Sequence, residues 1–157
     1  MSAPTASKRL QVINRVVTVL GAITAGADYN YTPAQVTKGF IAVPTGYPVY
    51  EVLSASGGEI ELHLDQQNTE AFYITVVGKV QGSTDCVTLI ENALRDVRKA
   101  INEDFKPEAG AGSLGTLATD MRIDTPPDIA YEFEGIGPFN AFAQRVRFQV
   151  SGEWGEI

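Results

Sequence analysis

The sequence predicts an α+β domain in which two amphipathic helices pack against the apolar faces of β-strands. Three observations predict this class: two helical stripes of apolar residues, several short segments in which apolar and polar residues alternate, and turn-forming residues between those segments. The 157 residues fit one domain, and we predict a single domain over residues 1–157. An apolar content of 44% and a charged content of 20% are those of an ordinary globular protein, so global disorder is not expected.

The charge and the cysteine count exclude several classes of function. A net charge of -7 makes non-specific adhesion to nucleic acid or to an anionic membrane unfavourable. The single cysteine, Cys86, excludes an intrachain disulfide and a multi-cysteine zinc site, so cytoplasmic synthesis is expected. Residues 1–27 match a signal peptide only in part, because polar residues interrupt the apolar run, and a helical stripe explains the run better.

The first element is a helix that begins near Lys8, after a small and polar end at residues 1–7. Its apolar positions recur at helical spacing: Leu10, Ile13, Val16, Val17, Leu20 and Ile23. Gly21 and Gly26 weaken its end. We therefore predict an amphipathic helix at the start of the chain.

Short extended segments follow, and we predict them at residues 40–43, 47–53 and 59–64. The breaks between them are rich in glycine, serine and proline, which favours hairpin turns. In the third segment Ile60, Leu62 and Leu64 alternate with polar residues, so one face is predicted to be buried and the other wet.

The central unit is a strand at residues 72–80, a turn at 81–85 and a helix at 86–102. The helical stripe consists of Val87, Ile90, Leu94, Val97 and Ile101. Thr84 and Asp85 precede the helix and are interpreted as helix caps.

A glycine-rich segment at residues 106–119 follows this helix, and we predict a mobile loop. Leu114 and Leu117 are unusual residues to leave in water on such a loop. The glycines at 110, 112 and 115 spell G-x-G-x-x-G, but the pattern follows a helix and not a strand, so we interpret it as chance and not as a phosphate loop.

The last third of the chain returns to strands, predicted at residues 121–124, 128–134 and 142–152. Glu132 and Glu134 alternate with apolar residues in the second of these, and Arg145 and Arg147 do so in the third. Since opposite charges favour cross-strand pairing, we expect these two strands to be antiparallel neighbours. Trp154 lies near the end of the chain, where it could cover a core edge or reach a neighbouring subunit.

No catalytic, cofactor or metal site is predicted. Cys86 begins a helix, where a thiol can become nucleophilic, but the only histidine, His63, belongs to the polar face of a predicted strand. Asp120, Asp124 and Asp128 are spaced like possible calcium ligands, yet the glycine pattern of an EF-hand loop is missing.

A short basic patch on the central helix consists of Arg95, Arg98 and Lys99. We interpret it as an ordinary solvated helix face, because Glu91 stands four residues before Arg95 and Asp96 adjoins it. Direct nucleic-acid recognition is not expected, since no aromatic stacking residues accompany the patch.

The order of elements resembles the tail terminator proteins of long-tailed bacteriophages, also called minor tail or tail completion proteins. The matching features are the helix at 10–23, the strand opening at 46–50, the strand and helix at 72–80 and 85–101, and the closing strand at 146–150. The resemblance implies an α/β fold of the α+β type, with a mixed, largely antiparallel sheet and two amphipathic helices on one face. It also implies a structural virion protein and not an enzyme.

In that family the subunits form a hexameric ring that caps the tail tube, ends its polymerisation and provides the surface for head and neck attachment. The resemblance therefore implies four partners: the chain itself, the tail tube protein, a neck or head-completion protein, and DNA that passes through the ring without specific binding. An acidic lumen would suit that passage. The implied location is the head-proximal end of the virion tail, after assembly in the host cytoplasm.

Most candidate residues for the contact with a neighbouring subunit or with the tube lie in or beside the predicted mobile loop, and Trp154 lies near the end of the chain. They are Glu103, Asp104, Gly110, Gly112, Leu114, Leu117 and Trp154. Two carboxylates at a helix C-terminus oppose the helix dipole, so we expect this end to gain a cationic neighbour on assembly.

Three alternatives stay open at this point. One is another neck or head-completion protein of the same joint, the second is a small thiol-dependent enzyme, and the third is a monomeric binding domain. A Cys86→Ser substitution that abolishes turnover would favour the enzyme, whereas unchanged assembly favours the ring protein.

Overall fold

Two long antiparallel strands form the centre of a seven-stranded sheet, and two helices pack on one of its faces. The computed structural model describes residues 6–55, 60–62, 68–82, 85–132 and 139–152. The elements in chain order are α1 (Lys8–Gly21), β1 (Gln35–Lys38), β2 (Val49–Ala55), β3 (Ile60–Leu62), β4 (Asn68–Gln81), α2 (Cys86–Phe105), a 3₁₀ turn (Pro107–Ala109), α3 (Leu114–Leu117), β5 (Asp120–Ile123), β6 (Asp128–Glu132) and β7 (Phe139–Gly152).

The sheet has the order β1-β2-β4-β7-β5, while β3 also pairs with β4 and β6 with β7. Only β1 and β2 run parallel among the pairs of the described strands, and the other pairs are antiparallel. The predicted class is therefore confirmed: an α+β fold with a mixed, largely antiparallel sheet.

The helix α1 has the polar N-terminal cap and the apolar stripe that the sequence predicts. The Ser7 hydroxyl accepts a hydrogen bond from the Leu10 N–H at 3.2 Å and caps the first turn. The predicted stripe is correct from Ile13 onward, but Leu10 is 38% exposed and Val12 is fully buried in its place. Val12, Val16 and Leu20 recur every four residues, which sets the buried side of the helix.

The helix α2 is longer than predicted and ends at Phe105. Its stripe is buried from Ile90 to Ile101, whereas Val87 is 56% exposed and was wrongly included. Asp85 precedes the helix as predicted, but its carboxylate accepts a hydrogen bond from the Thr88 hydroxyl at 2.7 Å and not from a backbone amide. Thr84 lies outside the described residues.

Strands β4 and β7 pair along 14 residues each, from Asn68 opposite Gly152 to Gln81 opposite Phe139. The prediction that β6 and β7 are antiparallel neighbours is confirmed. Its charge argument is wrong, because β6 pairs with residues 139–143 and β5 occupies the edge beside Arg145 and Arg147. Residues 133 and 134 of the predicted strand lie outside the described ranges.

The extended segment predicted at residues 40–43 is wrong. The strand in this region is β1, which runs parallel to β2. A crossover connection between β1 and β2 therefore takes the place of the predicted hairpin turn. We call residues 39–47 the arm. The buried carboxylate of Glu51 holds it, since Glu51 accepts a hydrogen bond from the Ile41 N–H at 2.5 Å and pairs with Lys79 at 3.0 Å.

The third predicted segment is β3, while Glu59, His63 and Leu64 lie outside the described residues.

The buried apolar side chains form one cluster between the helices and the even-numbered side of β4 and β7. Phe72, Val76 and Phe148 belong to it and are fully buried. Gly78 lies directly opposite Phe142, and a Cβ atom added at Gly78 would lie 2.2 Å from the Phe142 ring. Because Gly78 has no side chain, the Phe142 ring can pack directly over its backbone on the core face of the sheet.

A buried carboxylate fixes the long connection between α1 and β1. Asp96 of α2 is fully buried and accepts hydrogen bonds from the backbone N–H groups of Asn30 and Tyr31 at 2.9 and 3.0 Å, and from the Asn30 side-chain amide at 2.9 Å. These bonds satisfy the charge away from water. They hold residues 30 and 31 against α2.

We predict that Gly78→Ala destabilises the fold by about 2 kcal/mol, because the new methyl group overlaps the Phe142 ring in a packed core. Chemical denaturation measures the change in the free energy of unfolding. Gly21→Ala is the matched control, since its added Cβ meets no atom within 4 Å, and this change should be neutral or slightly stabilising. Equal stability of the two variants would contradict the prediction.

Candidate assembly surfaces

The segment at residues 106–119 was predicted to be a mobile loop, but seven of its fourteen residues form short helical elements. The 3₁₀ turn and α3 occupy the segment, Leu114 is fully buried in the core, and Leu117 is half-buried against it. The backbone passes close to the end of α2, since a Cβ added at Gly115 would lie 2.4 Å from the Phe105 carbonyl oxygen. Leu114 therefore serves packing within the chain and is not free for a neighbouring subunit, whereas part of Leu117 stays accessible.

The side chain that holds this segment is Asp104. Its carboxylate accepts a hydrogen bond from the Leu114 N–H at 2.9 Å, and Arg15 of α1 donates to both carboxylate oxygens at 2.6 and 2.9 Å. The cationic neighbour expected from assembly is thus present within the chain, and that expectation is wrong for Asp104. Arg15 was not predicted as the partner, because the pair joins residues far apart in the chain.

The electrostatics of this pair favour its charged form. Burial by itself raises the pKa of the Asp104 carboxyl, but the hydrogen bonds from Arg15 and the Leu114 amide, together with the charge of Arg15, hold that pKa below its ordinary value. The hydrogen bond to Asp104 likewise raises the pKa of Arg15. The pair therefore locks α1, α2 and α3 together at neutral pH.

Beside this pair lies an open groove of about 560 Å³ between α1, the end of α2 and the 3₁₀ turn. Val19, Ile23 and Ala100 contribute apolar lining, and the exposed Glu103 and Glu108 contribute carboxylates. Lys106 adds one cation. We call this the helix-side groove. Neither glutamate forms an ion pair with a described residue, so both carboxylates are available to a partner.

The remaining predicted interface residues divide into exposed and undescribed ones. Gly110 and Gly112 lie exposed in the turn between the 3₁₀ turn and α3, next to the groove. Glu103 is exposed at its edge. Trp154 lies outside the described residues. The structure therefore brings Glu103, Gly110 and Gly112 to one side of the molecule and removes Asp104 and Leu114 from its surface.

The opposite side of the molecule is the sheet face turned away from the helices, which we call the open face. Its side chains alternate with the core residues of β4 and β7, and they include Val77, Ala141 and Ala143. These residues, with Ala130 of β6, line a shallow depression of about 170 Å³. Within the described ranges no helix packs on this face, because α1 and α2 both cover the other one.

Three arginines lie together on the open face, and we call them the arginine cluster: Arg122, Arg145 and Arg147. Arg122 of β5 lies directly opposite Arg147 of β7, and the Arg145 guanidinium lies 4.1 Å from the centre of the Tyr73 ring. Arg122 has a loose contact with Asp124 at 3.9 Å, whereas Arg145 and Arg147 form no ion pair with a described residue. Like charges directly opposite are destabilising, so the cluster favours an external anionic partner.

The arm adds a third surface, at the edge of the sheet far from the arginine cluster. Phe40 is 82% exposed and Val43 is 78% exposed, although the arm itself is anchored to Glu51. Two large apolar side chains held in water on an anchored segment are typical of a protein contact. This surface was not predicted, because the sequence pattern at residues 40–43 indicated a strand.

The described residues form neither a thiol–histidine pair nor a metal site. Cys86 is a half-buried free thiol at the start of α2, and His63, the partner considered for it, lies outside the described residues. Among the residues that the structure describes, no group of three His, Cys, Asp or Glu side chains is placed to hold a metal ion. No helix in these ranges is long and apolar enough to cross a membrane.

No family model matches this chain, and no curated protein sequence matches it either. The relation to tail terminator proteins therefore stays a prediction from the order of elements.

We predict that Asp104→Asn destabilises the fold by about 2 kcal/mol at neutral pH, because it removes a charged hydrogen-bond acceptor that Arg15 and Leu114 share. The folded-state pKa of Asp104 is lowered, so this stabilisation is present above the ordinary pKa of an aspartate. It is lost as the pH falls through the lower folded-state pKa, where the two proteins should converge.

Chemical denaturation over a series of pH values measures this difference. Glu103→Gln is the control. The Glu103 carboxylate neighbours Asp104 but is exposed, so its neutralisation should change stability by less than about 0.5 kcal/mol. A stability gap between the wild type and Asp104→Asn that stays constant into strong acid would contradict the role of the charge.

Proposed function

We propose that this chain is a structural subunit of a bacteriophage tail, which assembles head to tail into a ring that caps the tail tube. The ring ends tube polymerisation and provides the surface for head and neck attachment. The observation that carries the proposal is the position of two amphiphilic surfaces, the helix-side groove and the open face, on opposite sides of a two-layer molecule.

Charge decides how these surfaces meet. Two open faces brought together would place two arginine clusters against each other, which repels. The groove of a second copy instead offers Glu103 and Glu108, two carboxylates without ion pairs in the described part of the chain. The favoured contact is therefore heterologous, and such contacts close into rings when the rotation between subunits allows.

The composition of the open face also suits a protein contact. Arginine and tyrosine are enriched at the centres of protein interfaces, and Arg145 stacks on Tyr73 beside an apolar depression. The carboxylates of the groove would pair with guanidinium groups, while the small side chains at 130, 141 and 143 allow close approach of the backbone. The open face would then become a buried layer.

We assign docking on the tube to the arm. It lies at the β1 edge of the sheet, whereas the arginine cluster lies at the β5 edge, so both contacts can form at once. The exposed Phe40 and Val43 would give this contact its apolar content. The overall charge of -7 is compatible with a ring through which DNA slides without adhering.

We predict that charge reversal on either surface prevents self-assembly and that combining the two reversals restores it. One variant carries Arg122→Glu and Arg145→Glu, the other carries Glu103→Arg and Glu108→Arg, and each places like charges across the contact. Light scattering measures the mass of the assembly for each variant, for an equimolar mixture and for the fourfold variant. Glu91→Lys, an exposed change on α2 outside the groove, is the control and should assemble like the wild type.

Electron microscopy of the protein mixed with tail tube protein tests the capping function itself. Rings at the ends of blunt tubes are expected, and Phe40→Ser with Val43→Ser should leave free rings intact while removing them from tube ends. Rings that never bind tube ends would refute the capping role. Rings that bind a connector protein in place of the tube would identify a neck or head-completion protein of the same joint.

A further inference from the structure

A cationic cleft lies between α2 and the edge strand β5, apart from the surfaces described above. Its volume is about 430 Å³, and its lining consists of Arg95, Arg98, Lys99 and Asn102 of α2 and Ile123 of β5. Positions 95, 98, 99 and 102 share one side of the helix at spacings of three and four residues, so their donor groups converge. From the sequence, these basic residues were interpreted as a solvated helix face.

The Arg98 guanidinium is held in place without being satisfied. Its Nε–H donates to the Gln144 side-chain oxygen at 2.8 Å, and the Gln144 amide donates to the carbonyl oxygens of Asp124 and Arg145 at 2.5 and 2.8 Å. Gln144 is fully buried, so this anchor is rigid. The Arg98 Nη2 is buried without an acceptor, and the Nη1 also has none among the described residues.

The three cations of the cleft differ in whether a carboxylate of the chain lies beside them. Lys99 is occupied, because its Nζ lies 3.2 Å from the Asp28 carboxylate and 5.1 Å from the centre of the Tyr29 ring. Arg95 forms no ion pair with a described residue, so the pairing with Glu91 expected from the sequence does not form. Two guanidinium groups, those of Arg95 and Arg98, therefore have no carboxylate partner among the described residues, although the chain is acidic overall.

We propose that this cleft binds a phosphate group. A phosphate monoester carries a charge close to -2, which balances both guanidinium groups, whereas a single carboxylate would balance only one. The exposed Arg95 guanidinium matches the oxygen spacing of phosphate and can donate two parallel hydrogen bonds, while Arg98 offers its Nη1 because its Nε–H is bound to Gln144. The Asn102 side-chain amide lies on the same lining and offers a further donor. This site is independent of the proposed ring function.

Isothermal titration of the full chain with inorganic phosphate tests the site. Saturable binding at millimolar phosphate is expected for the wild type. Arg95→Gln and Arg98→Lys should each weaken it roughly tenfold, the first by removing a charge and the second by removing the Arg98 Nη1 donor. Arg95 is exposed, so its variant tests the site without a risk to folding. The control is Lys38→Gln, an exposed lysine of β1 at the opposite edge of the sheet, which should bind phosphate like the wild type.

A second titration with a short DNA duplex distinguishes the source of the phosphate. Binding of free phosphate alone assigns the site to a small phosphate compound. Binding of the duplex that falls with salt and is weakened by the same two variants assigns it to a nucleic-acid backbone. The proposal is overturned if neither ligand binds saturably, or if binding is the same in the wild type and in the Arg95 and Arg98 variants.

Discussion

The pairing of β4 with β7 is the constraint on which the rest of the structure depends. Fourteen residues of each strand are in register, so one choice of alignment decides which side chains enter the core and which form the open face. A shift by one residue would bury Arg145 and Arg147 and expose Val146 and Phe148. The shorter strands then attach in pairs, with β2 and β3 along β4 and with β5 and β6 along β7.

This register also separates the charges of the molecule. The helix layer takes the core face, and its acidic end at Glu103 and Glu108 borders a groove. The other face keeps three arginines on neighbouring strands, Arg145 and Arg147 on β7 and Arg122 on the edge strand β5. A molecule with unlike surfaces on its two sides is suited to contacts between unlike patches, and this polarity is the physical basis on which we infer a ring subunit.

The sequence predicted the elements whose signals are local and failed where distant residues decide. Helical spacing and strand alternation located α1, α2, β4 and β7, because each pattern is complete within its own segment. The burial of Leu114 could not be predicted, since it depends on Asp104 being held by Arg15 from another helix. The opposition of Arg122 and Arg147 likewise follows from a strand register that neither segment encodes alone.

The central pair also has a consequence for the time at which the subunit matures. Strand β4 is synthesised well before β7, and α2 lies between them, so a nascent chain can form the helix early but cannot close its sheet. Until β7 emerges from the ribosome, the arginine cluster has no scaffold and one edge of β4 has no partner. In the proposed ring, competence for self-association would therefore arrive only with β7, and the growing chain would be kept from binding finished copies during translation.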